Sequence, residues 1–184
     1  MPGVVFYICY MDLRSQLLSE GSKENALKVV HWIGNDPERF RSLMHIFLHD
    51  EYRVVQRASW VMSIVAEGQP ALIKPHLKAM VNRMGDAGIP VAVKRNVVRI
   101  LQFIPVPQNL QGPVMDYCFR FLEDPQETVA VRVFSMTILA NLAQQYPDIK
   151  NEIILLIEDQ MREGALPAFK SRGKKTLKLL QGKK

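Results

Sequence analysis

Histidine is the residue type in this sequence whose spacing comes closest to that of a metal site. His45 and His49 stand four residues apart, so on a helix both rings would share one face, with Asp50 or His31 as a third ligand. The motif lacks the glutamate that metalloproteases place between their two histidines. No glycine-rich phosphate loop, Ser/His/Asp pattern or carboxylate pair stands out elsewhere. The sequence therefore predicts no catalytic residue, no metal, no cofactor and no small-molecule substrate.

The two cysteines indicate the cellular compartment, and the first ten residues indicate where the fold begins. Cys9 and Cys118 match no CxxC or Cys/His spacing, so neither a disulfide framework nor a zinc site is predicted, and a reducing cytoplasm fits best. The apolar stretch at residues 1–10, MPGVVFYICY, has no charged leader and is too short to span a bilayer. Because Met11 opens a well-patterned run, we expect residues 1–10 to be disordered or to lie upstream of the true start.

An internal repeat provides the elements that position the side chains. Four segments each combine an amphipathic helix, a short break and a second helix with an arginine in an early turn: 37–66, 70–104, 109–145 and 147–181. The marker arginines are Arg57, Arg95, Arg132 and Arg172, at separations of 38, 37 and 40 residues. This period suits a two-helix repeat, so we expect the arginines at equivalent turns of stacked second helices.

Capping signals and prolines indicate helices throughout. Two acid-proline pairs are expected to open helices, Asp36-Pro37 and Asp124-Pro125. Glu127 stands where a capping-box partner would reach back. Pro75 and Pro113 fall inside first helices, where each removes a backbone donor and should bend the helix or delay its start. No segment alternates as a strand does, so the predicted class is all-α.

Apolar periodicity predicts which side chains are buried. Helices near 12–20 and 23–33 are expected to cap the first repeat with Leu17, Leu18, Leu27, Val30 and Ile33. Between the later repeats the predicted core consists of Ile100, Leu101, Phe103, Phe134, Ile138 and Leu142.

Over residues 12–181 the sequence resembles the HEAT-repeat, armadillo-type superfamily, and KRNVVRILQF and VFSMTILANLA are similar to segments of small uncharacterised bacterial HEAT-like proteins. The resemblance implies a right-handed α-α superhelix of about four helical hairpins with N-terminal capping helices, forming one solenoid domain over residues 11–184. Some of those proteins carry an adenylosuccinate lyase label. The sequence does not support that label, since such lyases are much longer and keep a flexible Gly/Ser-rich loop ending in Lys-x-Asn. Here Lys94-Arg95-Asn96 lies between valines inside a predicted helix.

The formal net charge of +6 is unevenly distributed. The second helices, taken as 51–66, 91–104, 126–145 and 166–180, carry eleven bases and two acids, whereas the first helices sum to −1. In HEAT-type solenoids the second helices line the concave surface, so the resemblance implies a basic inner groove. The predicted partner-binding residues on this concave face are Arg57, Lys94, Arg95, Arg99, Arg132, Arg172, Lys174 and Lys175.

Three functions are open for such a groove. The favoured one is a non-enzymatic scaffold that binds a protein or peptide, including an acidic one. The second is a nucleic-acid-binding module that contacts phosphates through Lys94, Arg95, Arg99, Arg132 and the C-terminal lysines. The third follows from a resemblance to HEAT-like DNA glycosylases, with Trp60 as the aromatic, although no carboxylate lies in the body of any second helix.

A structural role competes with all three. In that role, the arginines in the early turns of the second helices bind loop acids and form a ladder between repeats. The ladder would join Arg57, Arg95 and Arg132 to acids drawn from Asp50, Asp86, Asp124 and Asp159. Arginines used in this way favour a protein partner, whereas a continuous exposed basic stripe favours nucleic acid.

Overall fold

The computed structural model describes residues 11–182, so the expected extension at residues 1–10 lies outside the described residues. In that range the chain forms α-helices and two short 3-10 helices, with no strand. The α-helices are α1 Leu13–Ser19, α2 Lys23–Ile33, α3 Pro37–His49, α4 Tyr52–Gly68, α5 Pro70–Ile73, α6 Leu77–Arg83, α7 Val91–Leu101, α8 Gln108–Glu123, α9 Val129–Leu142, α10 Lys150–Arg162 and α11 Pro167–Leu180. The 3-10 helices are Lys74–His76 and Pro147–Ile149.

Side-chain caps fix the starts of the first three helices. Asp12, Ser22 and Asp36 each accept a hydrogen bond from a backbone N–H in the first turn of α1, α2 and α3. Pro37 occupies the first position of α3, where its missing N–H costs nothing. The predicted Asp36-Pro37 start is therefore confirmed.

The predicted start at Asp124-Pro125 is wrong. The second helix of the third repeat begins at Val129, and the Asp124 carboxylate instead accepts a hydrogen bond from the Gln126 N–H at 2.8 Å within a turn. Glu127 lies two residues before α9, and its carboxylate contacts Lys94 of the preceding repeat and the Thr128 N–H instead of forming a capping box.

The two internal prolines act differently. At Pro75 the first helix of the second repeat is broken into α5, a 3-10 turn and α6, which confirms the predicted bend. Pro113 lies near the start of α8, and that helix continues without a break.

The helices pair into hairpins and the hairpins stack into an α-α solenoid, as predicted. The second helices α4, α7, α9 and α11 pack one against the next and form what we call the inner row. The first helices approach one another less closely, with the main contact between α6 and α8. Because the more closely packed row lies on the inside of a curved stack, we expect the inner row to face the concave side.

Buried positions recur along the inner row at a strict spacing of 38 residues. Each set of equivalent buried residues takes one residue from each repeat, and we call such a set a buried column. The four buried columns are Val55, Val93, Val131 and Phe169; Ser59, Val97, Ser135 and Gly173; Met62, Ile100, Ile138 and Thr176; and Ala66, Ile104, Leu142 and Leu180. In this register Arg57 and Arg95 are equivalent, whereas Arg132 stands one residue early and Arg172 one residue late. Since one residue turns a side chain about 100° around a helix, the four arginines share a turn but not a direction.

The predicted core is correct at four of its six positions. Ile100, Leu101, Ile138 and Leu142 are buried, and Phe134 is only half-buried. Phe103 is wrong, with 45% of its surface exposed, because it follows the end of α7 at a position whose equivalents one and two repeats later, Asn141 and Leu179, are also exposed.

The predicted cap on the first repeat is correct in its helices and partly wrong in its side chains. Leu17 and Ile33 are buried and Val30 is half-buried against the core. Leu18 and Leu27 are exposed, because α1 and α2 each bury only one face.

Candidate functional site

The cations of the inner row are mainly engaged in contacts between helices. At the N-terminal end, Arg57 of α4 donates from Nη1 to the backbone oxygen of Leu17 at 2.5 Å and so binds α4 to the end of α1. This bond uses one of the five N–H donors of Arg57 and holds the guanidinium against the end of α1.

Lys94 of α7 forms an ion pair with Glu127, across the boundary between the second and third repeats. Only 5% of the Glu127 side chain is exposed, against 23% of that of Lys94. The Lys94 ammonium also lies 5.4 Å from the centre of the Phe121 ring, while Glu127 accepts a hydrogen bond from the Thr128 N–H at 2.8 Å. Lys94 is therefore a contact between repeats, not an exposed basic residue.

Arg99 of α7 forms an ion pair with Glu67 at the end of α4. The two side chains are 39% and 48% exposed, so water screens this pair and it contributes little to stability. It does neutralise the Arg99 charge on the inner face.

Arg132 of α9 reaches forward to the fourth repeat. Its guanidinium contacts the Gln160 side-chain oxygen and lies 4.7 Å from the centre of the buried Phe169 ring. Gln160 in turn donates to the Leu122 backbone oxygen at 2.7 Å. Burial lowers the pKa of Arg132 below its usual range, with the nearby Asp124 acting in the opposite direction. Its position one residue early in the register aims it at the next repeat.

Arg172 of α11 reaches backward over two repeats. Its Nη1 donates to the Thr137 hydroxyl of α9 at 2.5 Å and to the Gln102 side-chain oxygen beyond α7 at 3.2 Å. A side chain of α11 and one that follows α7 therefore meet over α9.

The remaining predicted residues are exposed and make no polar contact within residues 11–182: Arg95, Lys174 and Lys175. Lys175 follows Arg99 and Thr137 in register, which places it on the inner side. Lys174 follows Val98 and Met136, both buried toward the next repeat, so it lies on the end face of the solenoid. The register therefore points Lys174 away from the inner side predicted for it, toward the surface of α11 on which no further repeat packs within the described residues.

The predicted acid ladder is absent from residues 11–182. The loop acids pair instead with bases close to them or at the N-terminal cap: Asp50 with Arg14, Asp86 with Arg83, and Asp159 with Arg162. Burial is the largest single influence on the pKa of the Asp50 carboxyl and would raise it, but the hydrogen bonds from Arg14 and from the Glu51 N–H, together with the Arg14 charge, lower the net pKa. No sequence signal indicated the Arg14–Asp50 pair, since it joins a capping helix to a loop 36 residues away.

The residues considered for chemistry do not assemble into a reactive site. The cavity beside Trp60 and Arg57 has a volume of about 10 Å³, room for one water at most and far too small for a nucleobase. The His45 and His49 rings lie 4.9 Å apart, but no group of three metal-ligating side chains occurs between residues 11 and 182. Burial raises the pKa of the Cys118 thiol to about 12, so it is not a thiolate nucleophile at neutral pH.

Comparison with known proteins identifies the fold family. No helix among residues 11–182 is long and apolar enough to cross a membrane. No curated protein and no solved structure matches the chain. A family model described as the HEAT repeat domain matches residues 13–180, which is nearly the whole sequence. The chain therefore belongs to the HEAT repeat domain family.

Proposed function

We propose that this protein is a non-enzymatic scaffold that binds a protein or peptide partner through its inner face. HEAT repeats in general mediate protein interactions, and the chain carries this repeat over residues 13–180. The contacts that the inner-row cations make with neighbouring helices favour a protein partner over nucleic acid. Five of the eight predicted residues contact neighbouring helices: Arg57, Lys94, Arg99, Arg132 and Arg172.

A groove for nucleic acid needs a continuous row of free cations along its length. Among the eight predicted residues, only Arg95 and Lys175 are both unpaired within residues 11–182 and assigned by the register to the inner side, and α9 lies between them. Two isolated cations suit specific pairing with acidic side chains of a partner better than tracking of a phosphate backbone.

Titration of labelled duplex DNA with the full chain tests the exclusion of nucleic acid. At moderate salt we expect no saturable binding below the micromolar range. Any weak binding should come from the exposed lysines of α11 and should be lost when Lys170, Lys174 and Lys178 are replaced by glutamate. Binding below micromolar, or binding that Arg95→Glu weakens, would place phosphate contacts on the inner face and would contradict the proposal.

Selection of a random peptide library on the full chain tests the protein-binding role. We expect selected peptides with micromolar dissociation constants that weaken about tenfold when Arg95→Glu reverses the charge on the inner face. Lys78→Glu is the matched control, because Lys78 is exposed and has no partner in the described residues but lies on the first helix α6. Failure to select any saturable peptide, or equal weakening by both variants, would count against the inner face as the binding surface.

A further inference from the structure

The outward face of α11 carries a row of three lysines four residues apart, Lys170, Lys174 and Lys178, which we call the lysine row. All three side chains are exposed, and none has a polar partner within residues 11–182. Residues spaced by four lie on one side of a helix, so the row forms a continuous basic stripe about 12 Å long.

The equivalent residues of the preceding repeat show what kind of contact the lysine row would make. One repeat earlier, the equivalent positions are Arg132, Met136 and Ala140. Met136 and Ala140 are buried, and Arg132 packs over Phe169 of the next hairpin. On α11 the lysine row therefore occupies the surface that, on α9, packs against the next hairpin.

Helix stability does not account for the lysine row. Like charges four residues apart repel each other along one helix face. Lys170 stands in the first turn of α11, where the helix dipole disfavours a cation, and that turn holds no acid. Acidic side chains would solvate this end of the solenoid equally well, so the uniform positive sign points to an anionic partner.

An open apolar groove runs beside the lysine row, between α10 and α11. Leu155, Met161 and Leu177 line it, with a volume of about 680 Å³, and 62% of the Leu155 surface is exposed. The two helices approach closely at Gly173, where an added Cβ would lie only 2.9 Å from the Met161 sulfur. The groove floor is therefore apolar and shallow, as suits a helix laid across it.

We propose that the lysine row and this groove form a docking site for an acidic amphipathic helix of a partner protein. Acidic side chains of the docked helix at positions i, i+4 and i+8 pair with the three lysines, and its apolar face covers Leu155 and Leu177. The far rim carries Glu158, which accepts a hydrogen bond from Gln181 at 3.5 Å, and Arg162. A carboxylate in the rim and a groove bounded by two helices favour a protein helix over an anionic lipid surface.

The test uses the full chain and a labelled helical peptide of about 20 residues with glutamates at i, i+4 and i+8 beside a leucine stripe. Fluorescence anisotropy should give micromolar affinity. The triple variant Lys170→Glu, Lys174→Glu and Lys178→Glu should weaken binding at least about tenfold, and a peptide with lysines in place of the glutamates should restore it. Leu155→Ser, at an exposed position, should weaken binding of the original peptide without loss of helix content by circular dichroism.

The matched control reverses three exposed, unpartnered lysines elsewhere, Lys23, Lys74 and Lys78, with the same change in net charge. This variant should bind the original peptide as the native chain does. Equal weakening by both triple variants, or no rescue by the lysine peptide, would show that only net charge matters and would overturn the site. Binding to vesicles rich in phosphatidylserine that is lost in the Lys170, Lys174 and Lys178 variant, with no peptide binding, would replace the helix with a lipid surface.

The docking site at α11 is separate from the inner face, through which the proposed scaffold function would act. Arg95→Glu should leave the acidic helical peptide unaffected. If that peptide fails while library peptides still bind through Arg95, the docking site at α11 is wrong and the scaffold role stands.

Discussion

Lys94→Glu should lower the free energy of unfolding by about 3–5 kcal/mol, the range for removing one partner of a buried ion pair. The cost comes from Glu127, whose nearly buried carboxylate would lose its counter-charge and face a second carboxylate. Urea unfolding followed by circular dichroism measures the difference directly.

Arg99→Glu is the matched control for that variant, because it reverses a charge on the same helix. Its ion pair with Glu67 is largely open to water, so the unfolding free energy should change by no more than about 1 kcal/mol. Similar losses in both variants would mean that burial of Glu127 does not set the cost.

Phe169→Ala should also cost about 3–5 kcal/mol, as expected when a fully packed aromatic site is emptied. Phe169 is completely buried at the start of α11, and its ring is covered by the Arg132 guanidinium. Its loss would loosen the fourth hairpin from the third. Differential scanning calorimetry or urea unfolding should show a lower midpoint.

Two further phenylalanines, Phe134 of α9 and Phe103 just after α7, provide a graded comparison. Phe134 is half-buried, so Phe134→Ala should cost less than Phe169→Ala, and Phe103→Ala should cost under about 1 kcal/mol because its ring is largely in water. A larger loss at Phe103 than at Phe169 would contradict the register of buried columns.

The architecture was predictable from sequence because it depends on local signals. Helix periodicity, the Asp36-Pro37 cap and the break at Pro75 act within a few residues, and the structure confirms each of them. The repeat period was also visible, although arginines marked it less accurately than the buried columns 38 residues apart. Packing selects buried positions strictly, whereas a partly exposed arginine tolerates a shift of one residue.

The roles of the cations were not predictable, because they depend on how the repeats stack. Lys94 meets Glu127 across 33 residues, and Arg172 meets Gln102 across 70, so no local pattern indicates either contact. Lys174 and Lys175 are adjacent in sequence yet lie on the end face and the inner side. A single residue of register decides between those faces.

A double-mutant cycle at Lys94 and Glu127 tests most directly whether inner-row cations hold neighbouring repeats together. Unfolding free energies would be measured for the native chain, Lys94→Met, Glu127→Gln and the double variant. If the pair joins the second and third repeats, the coupling energy should be at least about 1 kcal/mol, within the range for residues in direct contact. Additive effects within about 0.3 kcal/mol would contradict the account and return Lys94 to the set of cations free to bind a polyanion.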